Sequence, residues 1–153
     1  MRAEPTQAGH LAGDIASIGE CMVEMAPDAD GLYRQGFAGD TLNTAWYIRA
    51  LTSPERRKVR YVSAVGIDAL SQRMTDFLEE NGLDTQAIAR IPDRTLGLYL
   101  ITLDGAERSF TYWRKDAAAR LLASDIDRLR ATLDGVGLAY FSGITLAILT
   151  PED

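Results

Sequence analysis

The fold is decided by the stretch Gly36-Phe37-Ala38-Gly39-Asp40-Thr41-Leu42-Asn43-Thr44-Ala45, which passes from small, turn-compatible residues directly into a helical pattern. Gly39 has no Cβ, so a ligand can approach the backbone there, and Asp40 or Thr41 is a suitable N-cap for the helix. Helical spacing predicts that the buried face of this helix carries Leu42, Ala45, Trp46 and Ile48 or Arg49.

The first turn of this helix is a candidate ligand site. Its free N–H groups lie at the positive end of the helix dipole, which suits an anionic or hydroxyl-rich ligand. Asp40 and Asn43 add polar side chains to the same turn. On this stretch alone, an ordinary loop followed by an N-cap is the alternative interpretation.

The composition predicts one globular domain, or part of one. The chain has 153 residues, of which 46% are hydrophobic and 25% are charged, so it can form a core and is too apolar to be disordered. A formal net charge of -6 argues against a nucleic-acid or anionic-membrane partner. A local basic cluster is interpreted as a solvated loop before a strand, and it comprises Arg56, Arg57, Lys58 and Arg60.

The single cysteine and single histidine exclude two kinds of site. Cys21 alone cannot form an internal disulfide, and together with His10 it cannot supply a Cys/His zinc site. A reduced, cytoplasmic location is therefore expected. No signal peptide is expected, because the first residues lack a sustained apolar run, and no run approaches the ~20 residues that span a bilayer.

The part of the chain before the glycine stretch predicts a lead-in followed by a buried strand. Residues 1–13 are interpreted as a flexible lead-in to the domain. The run from Ile15 to Gly19 is short, apolar and ends at a glycine, which is typical of a buried strand. The simplest assignment for this run is the first strand of a parallel sheet.

Two short strands are predicted to form a flap beside the main sheet. Residues 20–25 alternate, so that Glu20, Met22 and Glu24 share one strand face. The two carboxylates on that face either line a ligand pocket or face water. After a turn that contains proline and glycine, residues 32–37 return as the second strand.

The next elements predict an α/β architecture with a largely parallel sheet. Residues 59–65 are β-branched and apolar, which indicates a core strand, and residues 83–91 contain another short strand. Between them, Asp68 is the predicted N-cap of a helix that ends at Asn81-Gly82. Strands and helices in this alternating order form packed layers around parallel strands.

A β-hairpin is predicted over residues 97–113. Two β-rich runs flank the dipeptide Asp104-Gly105, which is a strong signal for a tight turn. Antiparallel pairing across that turn brings Tyr99 towards Phe110 and Tyr112 and leaves this aromatic group beside Arg114.

The last third of the chain predicts two helical segments and a further strand. Residues 117–122 are helix-prone, and Ser124-Asp125-Ile126-Asp127 begins another helix. Residues 137–141 then form a core strand that ends at the glycine turn Ser142-Gly143. The sequence contains no internal repeat and no low-complexity tract.

The order of these motifs resembles the ribokinase-like, PfkB-type carbohydrate kinases, and within them the 2-keto-3-deoxygluconate kinases. The resemblance covers the chain from Asp14 onward. Its motifs, in order, are Ile18-Gly19-Glu20, Ala38-Gly39-Asp40-Thr41-Leu42-Asn43-Thr44-Ala45, Val65-Gly66-Ile67-Asp68, Gly97-Leu98-Tyr99, Tyr112-Trp113-Arg114, Ala117-Ala118-Ala119-Arg120 and Phe141-Ser142-Gly143-Ile144. It implies an α/β, ribokinase-like three-layer fold with a mostly parallel sheet and a small β-sheet lid, formed by strands at about 20–37 and 97–113.

The resemblance also implies where the substrate binds. In this family the sugar lies against the glycine turn and helix start under the lid, and in the ketodeoxygluconate kinases the Gly-Leu-Tyr and Tyr-x-Arg elements also reach it. The implied substrate-binding residues are Ala38, Gly39, Asp40, Thr41, Leu42, Asn43, Tyr99, Tyr112, Trp113 and Arg114. Arg114 suits a sugar acid, because a guanidinium binds a carboxylate bidentately.

The implied reaction is transfer of the γ-phosphoryl group of Mg-ATP to the terminal hydroxyl of the sugar acid. Family members carry a later Gly-Ala-Gly-Asp motif, whose aspartate is the general base, and neither this motif nor the nucleotide-binding segments occur in the sequence. Ala38 also replaces a usual glycine. Residues 14–153 are therefore expected to be an N-terminal sugar-binding part that has no catalytic residue, metal site or complete Mg-ATP site and is inactive alone.

Two further properties are expected. A parallel sheet that stops here would expose an apolar edge and be poorly soluble, and a full-length protein could form a homo-oligomer through the lid.

Three alternative identities are considered. A fructokinase of the same family would share the glycine turn, and a non-catalytic sugar-binding or interaction module is also consistent with the sequence. A dinucleotide-binding Rossmann domain is disfavoured, because no GxGxxG spacing follows Ile18-Gly19-Glu20.

Overall fold

A computed structural model describes residues 12–151, and the predicted lead-in over residues 1–13 falls mostly outside them. The strands in this part of the chain are β1 Asp14–Ile18, β2 Met22–Pro27, β3 Tyr33–Ala38, β4 Val59–Val65, β5 Ile88–Arg90, β6 Leu98–Asp104, β7 Glu107–Trp113 and β8 Val136–Phe141. The helices are α1 Asp40–Leu51, α2 Ala69–Glu80, α3 Ile126–Thr132 and α4 Gly143–Ile148, with a 3-10 helix at Ala118–Leu121.

The main sheet is parallel, as predicted. Its strand order is β5-β4-β1-β8, and all three neighbouring pairs are parallel. Strand β1 lies in the middle, with Ile18 opposite Val62 of β4 on one side and Phe141 of β8 on the other. The carboxyl ends of β1 and β8 therefore meet at one edge of the sheet.

Helices cover both faces of this sheet and complete the predicted three layers. On one face, α1 and α2 bury Leu42, Ala45, Met74 and Leu78 against Tyr61 of β4. On the other face, Ala118 and Ala119 of the 3-10 helix and Ile148 of α4 pack against alanines of the strands, namely Ala16, Ala64 and Ala89. Alanines on both sides let the helices approach the strands closely.

A second, four-stranded sheet forms the predicted lid. Its order is β3-β2-β6-β7, in which two antiparallel hairpins are joined by the parallel pair β2 and β6. The turn of the β6–β7 hairpin lies one residue later than predicted. Asp104 pairs with Glu107, and the two-residue loop is Gly105-Ala106, because only Gly105 adopts the positive φ, 59°, that the turn requires.

The predicted ends of helix α2 are confirmed. The Asp68 carboxylate accepts hydrogen bonds from the backbone N–H groups of Leu70 and Ser71, both at 3.0 Å. Asn81 caps the carboxyl end, and Gly82 follows with φ 74°. Asp68 is therefore a structural capping residue.

The predicted N-cap of helix α1 is wrong. Gly39 occupies that position without any side-chain cap, and Asp40 and Thr41 are already inside the helix. The reason is close packing, since a Cβ on Gly39 would lie 2.5 Å from the carbonyl oxygen of Glu20. The buried face predicted for α1 is also too wide. Trp46 is 41% exposed, although its ring packs against that of Phe77.

Two other predictions need correction. The strand predicted at residues 137–141 is not a core strand, because β8 lies at the sheet edge, where Leu138 and Phe141 are 40% and 51% exposed. The basic cluster is not entirely a loop, because Arg60 lies in β4 and forms a 2.8 Å ion pair with Asp14. Within residues 12–151, no helix is long and apolar enough to cross a membrane.

Candidate functional site

A cavity of about 300 Å³ lies between the main sheet and the lid. It opens where β1 and β8 end, and α1 packs on one face of the sheet while α4 packs on the other. Crevices at this kind of switch point are the usual ligand sites of open α/β sheets. The cavity is lined by Glu20, Met22, Glu24, Ala38, Gly39, Asp40, Asn43, Tyr99, Phe110, Tyr112, Arg114 and Ile144.

One wall of this pocket is the start of helix α1. Ala38 and Gly39 approach as backbone, while Asp40 and Asn43 add side chains that are three residues apart and so share a helix face. The helix begins without a side-chain cap, which leaves the polar groups of its first turn at the pocket. Four of the predicted site residues thus lie together on one wall.

The opposite wall is the aromatic face of the lid. Tyr99 lies directly across the β6–β7 pair from Tyr112, and its ring centroid is 5.9 Å from those of both Tyr112 and Phe110. The Tyr99 hydroxyl donates a hydrogen bond to the Glu24 carboxylate. Burial, and then the bond to Glu24, raise the pKa of the Tyr99 phenol, which stays a neutral donor.

Arg114 and Glu20 form an ion pair at the back of the pocket. The Arg114 Nη2 group donates to Glu20 Oε2, and the guanidinium carbon lies 5.9 Å from the Tyr112 ring centroid. The Glu20 side chain is 3% exposed and that of Arg114 is 23% exposed. Burial raises the pKa of the Glu20 carboxyl, and the charges of Arg114 and Arg120 oppose this rise.

Three of the ten predicted site residues do not line the pocket. Thr41 and Leu42 are turned into the protein by the helical rotation, where the Thr41 hydroxyl lies 3.0 Å from that of Tyr61 and Leu42 joins the core. Trp113 is 56% exposed and lies on the other face of β7 from Tyr112, since side chains alternate along a strand. The other seven are brought together.

Five pocket residues were not among the predicted site residues. Period-two alternation had placed Glu20, Met22 and Glu24 on one strand face, but their position in a pocket depends on the distant hairpin. Phe110 could have been found from its spacing of two residues from Tyr112. Ile144 carries no local signal, because it reaches the pocket only through the pairing of β8 with β1.

The pocket is rich in hydrogen-bond acceptors. Glu20, Glu24 and Asp40 contribute three carboxyl groups, and among the lining residues Arg114 supplies the basic side chain. Such acceptors suit the hydroxyl groups of a polyol, and aromatic rings cover the apolar faces of a sugar. Within residues 12–151, no group of three or more His, Cys, Asp or Glu side chains could hold a metal ion.

A larger cavity, of about 390 Å³, lies away from this site and is lined in part by Lys58, Arg60 and Arg128. Both arginines of this cavity form hydrogen bonds with other residues of the protein. Arg60 donates to Asp14 and to the carbonyl oxygens of Thr132 and Asp134, and Arg128 donates to the carbonyl oxygen of Ala87. The smaller pocket under the lid is therefore the candidate functional site.

Comparison with known proteins identifies a family and several relatives. A family model described as pfkB family carbohydrate kinase matches residues 12–153. The chain is 45% identical over 139 residues to a 2-dehydro-3-deoxygluconokinase of Dickeya dadantii, covering 89% of this chain and 44% of that protein. It is 42% identical over 144 residues to the Escherichia coli K12 protein of the same name, covering 92% of this chain and 46% of that protein.

Solved structures show the same fold. A 2-dehydro-3-deoxygluconokinase from Thermotoga maritima aligns with a TM-score of 0.76 at 19% identity, covering 90% of this chain and 43% of that one. A fructokinase from Xylella fastidiosa, solved with bound ATP, aligns with a TM-score of 0.62 at 28% identity, covering 71% of this chain and 32% of that one. The chain spans under half the length of the curated relatives it matches.

Proposed function

The chain belongs to the pfkB family of carbohydrate kinases, and we propose that it supplies the sugar-acid binding part of an ATP-dependent kinase. The proposed substrate is 2-keto-3-deoxygluconate, which is the same compound as 2-dehydro-3-deoxygluconate. Support comes from relatives named for this kinase at 41% to 45% identity. They match nearly the whole chain, so the likeness includes the pocket and the lid.

The observation that carries the proposal is the position of Arg114 in a pocket that is otherwise acidic and rich in acceptors for hydroxyl groups. A neutral sugar needs acceptors and donors for hydroxyls, and Asp40 and Asn43 provide both. A sugar acid also needs a cation, and a guanidinium is suited to a carboxylate by charge and by its planar donors. Among the pocket residues, Arg114 is the one that distinguishes a sugar acid from a neutral sugar.

The described residues bind and orient the substrate. In the proposed complex the sugar lies on the backbone of Ala38 and Gly39, with hydroxyls at Asp40 and Asn43 and its apolar edges against the lid rings. In this complex the bound sugar and the lid rings displace water from this face, which strengthens the hydrogen bonds beneath them. Held in this way, the terminal hydroxyl is presented to the phosphoryl donor with less loss of entropy during the reaction.

ATP is the proposed phosphoryl donor, but no residue of this chain is assigned to it. A triphosphate needs several cations or free N–H groups. The described pocket instead contains three carboxyl groups and one arginine, so it does not suit a triphosphate. Asp40 is assigned to the sugar and Asp68 to a helix cap, so neither is proposed as the general base.

The lid is also the proposed surface for a homo-oligomer in the complete protein. Several of its large apolar side chains are more than 40% exposed and do not line the pocket, namely Tyr33, Leu103 and Trp113, and so is Leu32 just before β3. An exposed apolar patch of this kind is typical of a protein interface. The cytoplasm stays the proposed location because the single Cys21 is a free, buried thiol.

A second candidate function is phosphorylation of a neutral sugar such as fructose. The likeness to a fructokinase favours it. The three pocket carboxyl groups also favour it, because they can accept hydrogen bonds from the hydroxyl groups of a neutral sugar. The two candidates differ in one respect, because a fructose pocket has no use for a guanidinium that binds a carboxylate.

Calorimetric titration of the 153-residue chain with 2-keto-3-deoxygluconate, fructose and ribose tests the proposal. We expect binding of the sugar acid and at least tenfold weaker binding of the neutral sugars, which corresponds to about 1.4 kcal/mol. Equal or stronger binding of fructose would favour the second candidate. In a coupled assay with ATP we expect no turnover, and turnover that depends on the sugar acid would contradict the assignment of the chain to binding alone.

A further inference from the structure

We propose that Glu20 is a positioning residue, whose buried carboxylate fixes the guanidinium of Arg114 so that its remaining N–H groups face an anionic ligand. The inference rests on the function proposed above, in which Arg114 binds the carboxylate of the sugar acid. It adds a residue from the end of β1 to a recognition element otherwise formed by the lid.

The burial of Glu20 is the first argument. Its side chain is 3% exposed, and charged side chains are almost never buried to this extent without a partner. The partner in the structure is Arg114, which donates from Nη2 to Oε2. Because Glu20 is enclosed and Arg114 is not, the glutamate is the fixed member of the pair.

The orientation of Arg114 is the second argument. A guanidinium has five donors in one plane, and one bond with Glu20 together with the Tyr112 ring 5.9 Å away restrains that plane. The hydrogen bond to Glu20 uses one donor on Nη2, and Nε is buried without a hydrogen-bond partner among residues 12–151, while the side chain as a whole keeps 23% of its surface exposed and lines the pocket. The remaining Nη donors are thus available for a ligand while the group itself is held.

The space around the pair is the third argument. A Cβ on Gly97 would lie 2.5 Å from Glu20 Oε1 and 3.1 Å from the Cβ of Arg114. Gly97 does not have a positive φ, so its backbone does not require glycine. The absence of a side chain at this position therefore leaves room for Glu20 and Arg114, which come from two other segments of the chain.

Two other roles for Glu20 make different predictions. If Glu20 only neutralised Arg114 and competed with the ligand, its removal would strengthen binding of an anion. If Glu20 only supported the fold, its removal would weaken binding of acidic and neutral ligands alike. A positioning role predicts a loss confined to the ligand that carries a carboxylate.

The test is calorimetric binding by Glu20→Gln and Glu20→Ala variants of the 153-residue chain. The ligands are 2-keto-3-deoxygluconate and 3-deoxyfructose, in which a hydroxymethyl group replaces the carboxylate. We expect affinity for the acid to fall about tenfold to a hundredfold, as for loss of an oriented charged hydrogen bond, with little change for the neutral compound. Asp116→Asn is the matched control, because it removes an exposed partner of Arg94 outside the pocket.

The signals of the Arg114 guanidinium in nitrogen-15 NMR spectra provide a readout without any ligand. Restricted rotation gives separate Nη signals in the parent chain, and we expect them to merge in both Glu20 variants. Tighter acid binding, equal loss for both ligands, or unchanged guanidinium signals would each overturn the inference. If the parent binds no sugar acid, the proposed function fails and the NMR comparison alone decides the role of Glu20. If Glu20→Ala does not fold, Glu20→Gln carries the test.

Discussion

Glu20 and Arg114 are separated by 94 positions in the sequence and form an ion pair at the junction of the parallel sheet and the lid. Glu20 follows β1, and Arg114 follows β7. The pair therefore connects the two sheets at the back of the pocket. A contact of this kind links the lid to the turn after β1, and both of its residues line the pocket.

Gly97→Ala is expected to disturb this pair. Its Cβ would lie 2.5 Å from Glu20 Oε1, so the carboxylate or the hairpin must shift. Overpacking of a core typically costs about 1 to 3 kcal/mol, and we expect a loss of unfolding free energy in this range. Urea denaturation measures it. Gly36→Ala is the matched control, because a Cβ at this position would lie 4.0 Å from its nearest neighbour, Glu24 Oε1. An equal loss of unfolding free energy in both variants would contradict this explanation.

The stability of the protein is expected to fall at alkaline pH. Burial raises the pKa of the phenols of Tyr61 and Tyr99 above their ordinary value of 10.0. A raised folded-state pKa means that the unfolded chain loses these protons first, so the stability that these two phenols contribute is complete below about pH 10 and declines above it. Urea denaturation from pH 8 to pH 11 measures this decline.

Substitution of the two buried phenols identifies their contribution to the alkaline decline. In Tyr61→Phe and Tyr99→Phe the decline should be shallower than in the parent chain. Tyr47→Phe is the control, because it removes a hydroxyl from a ring that is 70% exposed. An alkaline decline that is identical in all three variants and the parent would show that other groups cause it.

The edge of the main sheet is expected to promote self-association. Phe141 of β8 and Leu146 of α4 are 51% and 59% exposed and belong to neighbouring elements. Exposed apolar groups beside an open strand edge favour contacts between chains. The variant with Phe141→Ser and Leu146→Ser should show less aggregate in light scattering at equal concentration. Leu51→Ser, which changes a leucine that is 84% exposed on α1, should have a smaller effect.

Local sequence signals were sufficient for most of the fold. Asp68 and Asn81-Gly82 contain their own capping chemistry. The alternation from Glu20 to Met25 placed two carboxylates on one side of the chain, and both line the pocket, although Glu20 lies before β2 and not in it. The family resemblance then supplied the three-layer arrangement and the lid, which the parallel and mixed sheets confirm. The motifs could be recognised because they lie in order along the chain.

The errors arise where a contact between distant segments overrides local preference. Gly39 caps α1 because the carbonyl oxygen of Glu20 occupies the space of a side chain. Ile144 reaches the pocket only through the pairing of β8 with β1. The burial of Thr41 and Leu42, in contrast, follows from helical rotation within α1, so only the pocket members that depend on distant segments could not be predicted from the sequence.

The most direct test of the account is the affinity of the 153-residue chain and its Arg114→Ala variant for 2-keto-3-deoxygluconate and for 3-deoxyfructose. We predict that Arg114→Ala weakens binding of the acid by about a hundredfold, as for loss of a charged hydrogen-bonded partner, and changes binding of the neutral compound by less than about threefold. Arg108→Ala, which removes an exposed arginine elsewhere on the lid, should change neither affinity. Equal affinity of the parent and Arg114→Ala for the sugar acid would contradict the central claim that Arg114 makes this pocket specific for a carboxylate.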